Sequence, residues 1–261
     1  MRKFTCLLLA MLLLCATAFA ADSIDLSTYT DAELDALRLQ VAEECRARAA
    51  AKAPANPGAD FKYASNGVEV RINSWVGEGV DVYIPDEIDG VPVTQIYDNA
   101  FNGNKTIETI RFPAGLVSIG KKAFLGTYGL KDAIVLPSSL QKVEQSAFAV
   151  TFAPGVVLQS DCELVLEAFS SALKLEFCYI REGCAVTIGS RTFASTPLNT
   201  AVIPASVTVI SSSAFSGCSN LTVYCPAGSY AEKYCQENFI VCNTADYEAM
   251  VAYYEALYPA E

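Results

Sequence analysis

The sequence has 261 residues, with 29 acidic and 18 basic side chains, a net charge of −11 and no histidine. The acidic balance argues against nucleic acid and anionic membranes as partners, because both are negatively charged. The lack of histidine removes the usual base of nucleophilic catalysis and the commonest transition-metal ligand. We therefore expect no catalytic site, no metal and no cofactor.

Residues 1–20 have the pattern of a secretory signal peptide. Met1-Arg2-Lys3 is basic, an apolar segment runs from Leu7 to Ala16, and Ala18-Phe19-Ala20 is a small-residue cleavage site. The apolar segment is short for a membrane helix. We predict cleavage after Ala20, a mature chain without a membrane span, and a secreted or cell-surface location. The mature chain would keep 16 basic and 29 acidic side chains, a charge of −13.

Residues 21–58 predict a helix followed by a linker. Thr30 and Glu33 form a capping box, and the apolar residues that follow recur at spacings of three and four. The Pro- and Gly-containing stretch 54–58 ends the helix. The helix either docks on the rest of the chain as a cap or stands apart as a spacer.

Residues 59–92 predict a β-hairpin cap. Apolar and polar residues alternate over 68–72 and 80–84, and Asn66-Gly67 is a hairpin-turn signal. Such a cap would cover the first unit of a repeat array. Asp86, Glu87 and Asp89 lie close in sequence, and a solvated loop is favoured there over a Ca²⁺ site.

Residues 93–226 contain six repeats, and each repeat has one phenylalanine that we expect to be buried. The anchors, spaced 21 to 24 residues apart, are Phe101, Phe124, Phe148, Phe169, Phe193 and Phe215. An aliphatic residue stands five positions before each anchor, and the residue directly before it is Ala except at Thr192. One unit cannot bury its own apolar side, but stacked units bury a continuous core. We predict a repeat solenoid, mostly β with short turns.

This repeat resembles the BspA-like leucine-rich-repeat family of bacterial surface and secreted proteins. The units from Ile119 to Pro137 and from Ile210 to Pro226 carry the resemblance best, and it covers about residues 60–242. It implies a right-handed coil flanked by N- and C-terminal helices. It also implies a non-enzymatic binding module in adhesion or host contact. The units around Cys162 and Phe193 depart most from the pattern, which puts their strand register in doubt.

Residues 227–261 predict a C-terminal cap and helix. A short helix at 229–235 is followed by a strand at 239–242 and by a helix that opens at 244–247. Tyr247, Val251 and Tyr254 would share one face of that last helix. The face either packs on the end of the solenoid or contacts a partner.

Ten cysteines become eight after cleavage, and none forms a Cys-x-x-Cys pair, so a zinc site is not expected. A disulfide between Cys235 and Cys242, or between either and Cys225, is one possibility in an exported protein. The other is that the cysteines stay reduced and act as small apolar residues.

The candidate binding surface is a column of side chains on the outer face of the repeat sheet. Successive strand residues point to opposite faces, so the residue before each inward strand-closing position points outward. The column comprises Tyr83, Arg111, Val135, Val157, Phe177, Tyr179, Val202 and Tyr224. Aromatic residues in such a column suit contact with an unknown extracellular protein or glycan. The alternatives are that these residues simply suit strands or lie under the N-terminal helix, and that the protein is a structural spacer or accessory part of a cell-surface assembly.

Overall fold

The computed structural model of the chain describes residues 55–260. Residues 55–252 belong to one compact unit, and residues 253–260 belong to a second. The predicted signal peptide and N-terminal helix lie outside the described residues. None of the helices found between residues 55 and 260 is long and apolar enough to cross a membrane.

The described chain begins with an antiparallel hairpin formed by β1 (Phe61–Ser65) and β2 (Val70–Trp75). The turn between them contains Gly67 in the left-handed region, with φ of 83°. The Asn66 side chain accepts from the backbone N–H groups of Val68 and Glu69, each at 2.9 Å. This side-chain turn fixes the hairpin, and β2 then pairs in parallel with the first coil of the array.

The repeats form a β-solenoid in which successive coils contribute to two parallel sheets. The first sheet has the order β1-β2-β5-β7-β9-β11-β13-β15, with β4 joined to β5, and the second has the order β8-β10-β12-β14-β16-β17. A separate parallel pair consists of β3 (Asp81–Tyr83) and β6 (Thr109–Arg111). The remaining strands of the first sheet are β4 (Glu87–Ile88), β5 (Val91–Ile96), β7 (Ser118–Ile119), β9 (Lys142–Val143), β11 (Glu163–Leu164), β13 (Thr187–Ile188) and β15 (Val209–Ile210). Those of the second are β8 (Ile134–Leu136), β10 (Gly155–Leu158), β12 (Phe177–Ile180), β14 (Thr200–Val202), β16 (Thr222–Tyr224) and β17 (Val241–Asn243).

The six anchor phenylalanines form one row of stacked rings inside the solenoid. Neighbouring ring centroids lie 4.7 to 5.5 Å apart, with interplanar angles of 13° or less. Neighbouring parallel strands lie about 4.8 Å apart. Each coil adds one strand to a sheet and one ring to the row, so consecutive rings lie at stacking distance. The small residue before each anchor is buried, as at Ala123 and Ala147. The predicted solenoid with an interior phenylalanine layer is therefore confirmed.

The turn after each anchor requires left-handed backbone. The residue two positions after the anchor has positive φ in every coil, and it is glycine in three of them: Gly103, Gly126, Val150, Ser171, Ser195 and Gly217. Val150, with φ of 59°, is the one β-branched residue of this set. A branched side chain in this region is strained, so the coil containing Val150 holds local backbone strain.

Side chains also cross-link neighbouring coils. Asp98 accepts from the Lys121 N–H at 2.8 Å, and Asp161 accepts from the Ala185 N–H at 2.7 Å. In another bond the later coil supplies the side chain, because the Ser139 hydroxyl donates to the carbonyl of Leu116 at 2.7 Å. These bonds satisfy backbone groups in turns that the strand ladders do not reach.

The doubt over strand register in the irregular coils is resolved. β10 pairs in parallel with both of its neighbours without a shift, and so do β11 and β13. Backbone ladders therefore keep their register even where the consensus side chains are missing.

Two helices follow the last repeat strands. α1 (Tyr230–Glu237) is capped by Ser229, whose side chain accepts from the Glu232 N–H. β17 then adds in parallel to β16, and α2 (Tyr247–Leu257) follows it. Tyr247, Met250 and Val251 of α2 are buried.

Candidate functional site

Strand register places the predicted column on one face of the sheets, in two pieces. Five members stand side by side across the second sheet: Val135, Val157, Tyr179, Val202 and Tyr224. Phe177 lies two residues before Tyr179 in β12 and so shares its face. Tyr83 pairs with Arg111 in the separate β3–β6 pair. Side-chain alternation thus predicted the row, but β6 pairs with β3 and is not part of the second sheet.

Most of the column is not exposed. Val157, Phe177, Tyr179, Val202 and Tyr224 are all buried. None of these five belongs to the core cluster between the sheets, whereas their strand neighbours Val156, Leu158 and Ile180 do. The second sheet therefore has two buried faces over β10–β16. The expectation of a solvent-exposed column does not hold for these five residues, because a long apolar sheet face is itself buried as the chain folds.

The first turn of α2 lies against the C-terminal end of this face. The Tyr247 hydroxyl, itself buried, donates to the Glu182 carboxylate that follows β12. Burial, with a smaller contribution from the charge of Asp246, raises the pKa of Tyr224 to about 12. The apolar stripe that begins at Tyr247 was the sequence signal for this packing.

Phe177 explains the irregular unit that contains Pro154 and Gly155. Its ring lies over the backbone of Gly155, where a Cβ would come within 2.1 Å of the ring. Gly155 and Phe177 are direct partners in the β10–β12 ladder. Glycine at this position makes room for an aromatic ring on the outer face.

The N-terminal end of the column is accessible. Tyr83, Arg111 and Val135 are half-buried, and the Arg111 guanidinium lies 4.8 Å from the centre of the Tyr83 ring. Asn56 holds the Tyr83 backbone, accepting from its N–H at 2.6 Å. This end presents a cation over an aromatic ring, a small polar and aromatic surface.

A second apolar surface lies at the turns that follow the anchor phenylalanines. We call it the turn ridge, and it consists of Tyr128, Phe152 and Leu173 in three consecutive coils. Tyr128 is 39% exposed and Leu173 is 54% exposed. The Tyr128 and Phe152 rings meet edge to face at 5.2 Å, and the Lys174 ammonium lies 5.1 Å from the centre of the Phe152 ring. Backbone bonds hold the coils in line here, because the Leu173 N–H donates to the Thr151 carbonyl at 2.9 Å.

A third surface closes the C-terminal end of the repeats. A groove of about 480 Å³ runs between the last coil and the end of α1, and its lining includes Phe215, Tyr234, Phe239 and Val241. Phe239 is 97% exposed and has φ of 56°, and Val241 is 64% exposed. An almost fully exposed phenylalanine on strained backbone marks this end as unusual for a surface.

Comparison with known proteins assigns the repeats. A family model described as BspA type leucine rich repeat region matches residues 94–222 in six copies. The array is a BspA-type leucine-rich repeat region. The crystal structure of a T. pallidum leucine rich repeat protein is similar at 18% identity over 74% of this chain and 99% of that chain, with a TM-score of 0.35. A leucine rich cell surface protein from Faecalibacterium prausnitzii is similar at 12% identity over 77% of this chain and 98% of that chain, with a TM-score of 0.27. No curated protein matches.

The turn ridge occupies a fixed position of the leucine-rich repeat, and sequence reasoning missed it. Its residues stand four positions after the anchors Phe124, Phe148 and Phe169. The equivalent residues in the flanking coils are Lys105 and Pro197, so the apolar run is confined to the middle of the array. A large apolar residue at this turn position in three consecutive units was the available signal.

Between residues 55 and 260, no group of three potential ligands is arranged to hold a metal ion. The seven cysteines of this part of the leucine-rich repeat chain are free thiols: Cys162, Cys178, Cys184, Cys218, Cys225, Cys235 and Cys242. Burial is the main cause that raises the pKa of each of them. These thiols are therefore protonated at neutral pH and weakly nucleophilic.

Proposed function

We propose that the protein is a secreted or cell-surface, non-enzymatic module that binds another protein through the turn ridge. The observation that carries the proposal is a run of large apolar side chains at the same turn in three consecutive coils, in which Tyr128 and Leu173 are exposed and Phe152 is half-buried. Aromatic and aliphatic groups on a rigid scaffold supply contact area at little cost in side-chain entropy. The stacked Phe124, Phe148 and Phe169 rings beneath the turns fix the backbone that presents them.

The surroundings of the ridge favour a protein partner over a glycan. Stacking on a sugar needs an open aromatic face, and Lys174 lies over one face of Phe152 while Tyr128 meets the same ring edge to face. A partner segment with apolar side chains could cover Tyr128 and Leu173. A carboxylate of that segment could meet the Lys174 ammonium. The expected partner is therefore an extracellular protein that presents an apolar side chain next to an acidic one.

The test measures binding of the purified protein to an array of extracellular-matrix proteins and mucin glycans. The wild-type protein should bind at least one protein of the array. The double variant Tyr128→Ser, Leu173→Ser should weaken that binding at least tenfold, which corresponds to about 1.4 kcal/mol. Tyr230→Ser is the matched control, because Tyr230 is 41% exposed on α1, away from the ridge turns.

Retention of binding by the double variant would refute the assignment to the ridge. An equal loss in Tyr230→Ser would point to a general surface effect. Binding to glycans alone would overturn the choice of a protein partner. Circular dichroism of each variant separates lost binding from lost folding.

A second candidate function is that of a structural accessory part in a cell-surface assembly. The burial of five column residues favours it, because that face of the second sheet serves packing and not recognition. In this case the ridge variants would leave surface attachment of the protein unchanged in cell fractionation.

A further inference from the structure

Three thiols meet where the last repeat strands join α1. Cys225 directly follows β16, Cys235 lies in α1 and Cys242 lies in β17. The Sγ atoms of Cys225 and Cys242 are 3.2 Å apart. The Cys235 thiol is the second hydrogen-bonding partner of the same Cys242 thiol. Cys242 is therefore in contact with two other thiols at once.

The strand pairing brings the Cys225 and Cys242 sulfurs close together. β16 and β17 are parallel neighbours in regular register, with Val223 opposite Cys242. A disulfide requires an Sγ–Sγ distance of about 2.05 Å, so bonding needs the two sulfurs to approach each other by roughly 1 Å more. Cys225 and Cys235 are buried and Cys242 is half-buried, so Cys242 is the thiol that an external reagent reaches first.

We propose that Cys242 is a redox-active thiol that forms a disulfide with Cys225, and that Cys235 is its alternative partner by thiol–disulfide exchange. The oxidant is a disulfide, either of a small molecule or of an oxidoreductase. The Cys242 thiolate attacks one sulfur of the oxidant, giving a mixed disulfide and one released thiolate. The Cys225 sulfur then attacks Cys242 Sγ and expels the second thiolate. Two protein thiols are oxidised, one external disulfide is reduced to two thiols, and the two protons pass to the leaving thiolates.

The electrostatic surroundings make this reaction slow at neutral pH and faster at alkaline pH. Burial raises the pKa of Cys225 and of Cys235 to about 12, and burial also raises the pKa of Cys242. The titratable groups that face the three thiols are the thiols themselves, the Glu232 carboxylate of α1 and, beside Cys235, the Tyr234 hydroxyl. The attacking thiolate is scarce at pH 7, and its fraction rises about tenfold per pH unit below the pKa.

Oxidation would fix the C-terminal surface of the array. The segment between Cys235 and Cys242 carries the exposed Phe239 and forms one wall of the groove. A bond between Cys225 and Cys242 ties β17 to β16, whereas a bond between Cys235 and Cys242 ties β17 to α1. The same half-buried thiol thus anchors the groove wall to one of two elements once it is oxidised, and thiol–disulfide exchange interchanges the two bonds.

The experiment incubates the reduced full-length protein with oxidised glutathione at pH 7 and at pH 9. Remaining thiols are alkylated, and disulfide-linked peptides are mapped by mass spectrometry after proteolysis. The wild-type protein should lose two thiols per chain and yield a Cys225–Cys242 peptide pair, with formation about a hundredfold faster at pH 9 than at pH 7. The Cys225→Ser variant should yield the Cys235–Cys242 pair instead, and Cys242→Ser should yield neither.

Cys178→Ser serves as the control, because Cys178 is a buried core thiol in β12. It should form the Cys225–Cys242 pair at the wild-type rate. Full retention of thiols in the wild-type protein at pH 9 would overturn the proposal, as would a C-terminal disulfide that forms without Cys242. The wild-type mapping alone decides the first point, so the test does not depend on the folding of any variant.

Discussion

The row of stacked phenylalanines makes a quantitative prediction for Phe148→Ala. Phe148 is fully buried and stacks on two rings, Phe124 at 4.9 Å and Phe169 at 5.1 Å. Truncation of a buried phenylalanine costs about 3–5 kcal/mol. Phe148 also meets Phe112 edge to face at 6.3 Å. Each aromatic pair contributes about 0.5–1.5 kcal/mol beyond burial, so the loss of three pairs places Phe148→Ala near the top of that range. We expect a loss of about 4–5 kcal/mol in the free energy of unfolding.

Phe101→Ala is the internal comparison, because Phe101 ends the row and stacks only on Phe124, at 4.7 Å. Its expected loss is about 1–3 kcal/mol smaller, since one aromatic pair is lost instead of three. Phe239→Ala makes the same chemical change at an exposed site, so its effect on stability should be within about 0.5 kcal/mol of zero.

Urea unfolding followed by circular dichroism and by the fluorescence of Trp75, the single tryptophan, measures these effects. Trp75 lies in the N-terminal hairpin and reports one end of the array, whereas circular dichroism reports the whole. A central variant should separate the two transitions, because each coil contacts only its neighbours. A loss below about 2 kcal/mol for Phe148→Ala, or a larger loss for Phe101→Ala, would refute the stacked-core reasoning.

Three further predictions concern single positions. Val150→Gly should raise the melting temperature, because it relieves about 1–2 kcal/mol of strain in the left-handed backbone. This gain exceeds the cost of about 0.5–1 kcal/mol that comes from the greater freedom of glycine in the unfolded chain. Ser171→Gly should raise the melting temperature less. Gly129→Ala should lose about 2 kcal/mol or more in urea unfolding, because its Cβ would lie 2.4 Å from the Ile107 carbonyl oxygen. Burial raises the pKa of Tyr234 from 10.0 to about 12, so the folded state holds this proton where the unfolded state releases it. The stabilisation from this group is complete below pH 10 and is lost as the pH rises towards 12. The free energy of unfolding of Tyr234→Phe, measured over this range, should therefore fall less steeply with pH than that of the wild-type protein. An equal fall in both proteins would contradict the raised pKa of Tyr234.

The sequence predicted the interior of the solenoid because its constraints are local and repeated. An anchor such as Phe148, with a small residue before it and an aliphatic residue five positions earlier, predicts one interior layer per coil. Strand alternation likewise predicted that Val157 and Tyr179 share a face. It did not predict their burial, since covering the outer face requires another segment such as the turn at Tyr247. The apolar stripe that begins at Tyr247 indicated that this helix packs on another part of the chain, but no spacing rule shows which distant residues it contacts.

The turn ridge was not predicted from the sequence, because it lies outside the regular strands and helices. Tyr128 and Leu173 lie in turns, where neither strand alternation nor helical periodicity applies. Their exposure follows from the left-handed residues beside them, such as Gly126 and Ser171, which turn the chain back after each anchor. Once the coil geometry is known, the residue four positions after each anchor becomes a predictable surface position.

The bonds between side chains and neighbouring coils bear on how the array avoids stacking errors. Coils with the same anchor and the same ladder could in principle stack one place out of line, since ring stacking and strand pairing would survive the shift. Asp98 distinguishes its coil, because the equivalent residues in the next coils are Lys121, Gln145 and Leu166. A coil in the wrong place would leave the Lys121 N–H without its 2.8 Å acceptor. The irregular polar residues of the turns thus make each coil specific for its own neighbour. Their removal should produce misaligned or domain-swapped arrays before it reduces the stability of the correctly stacked array.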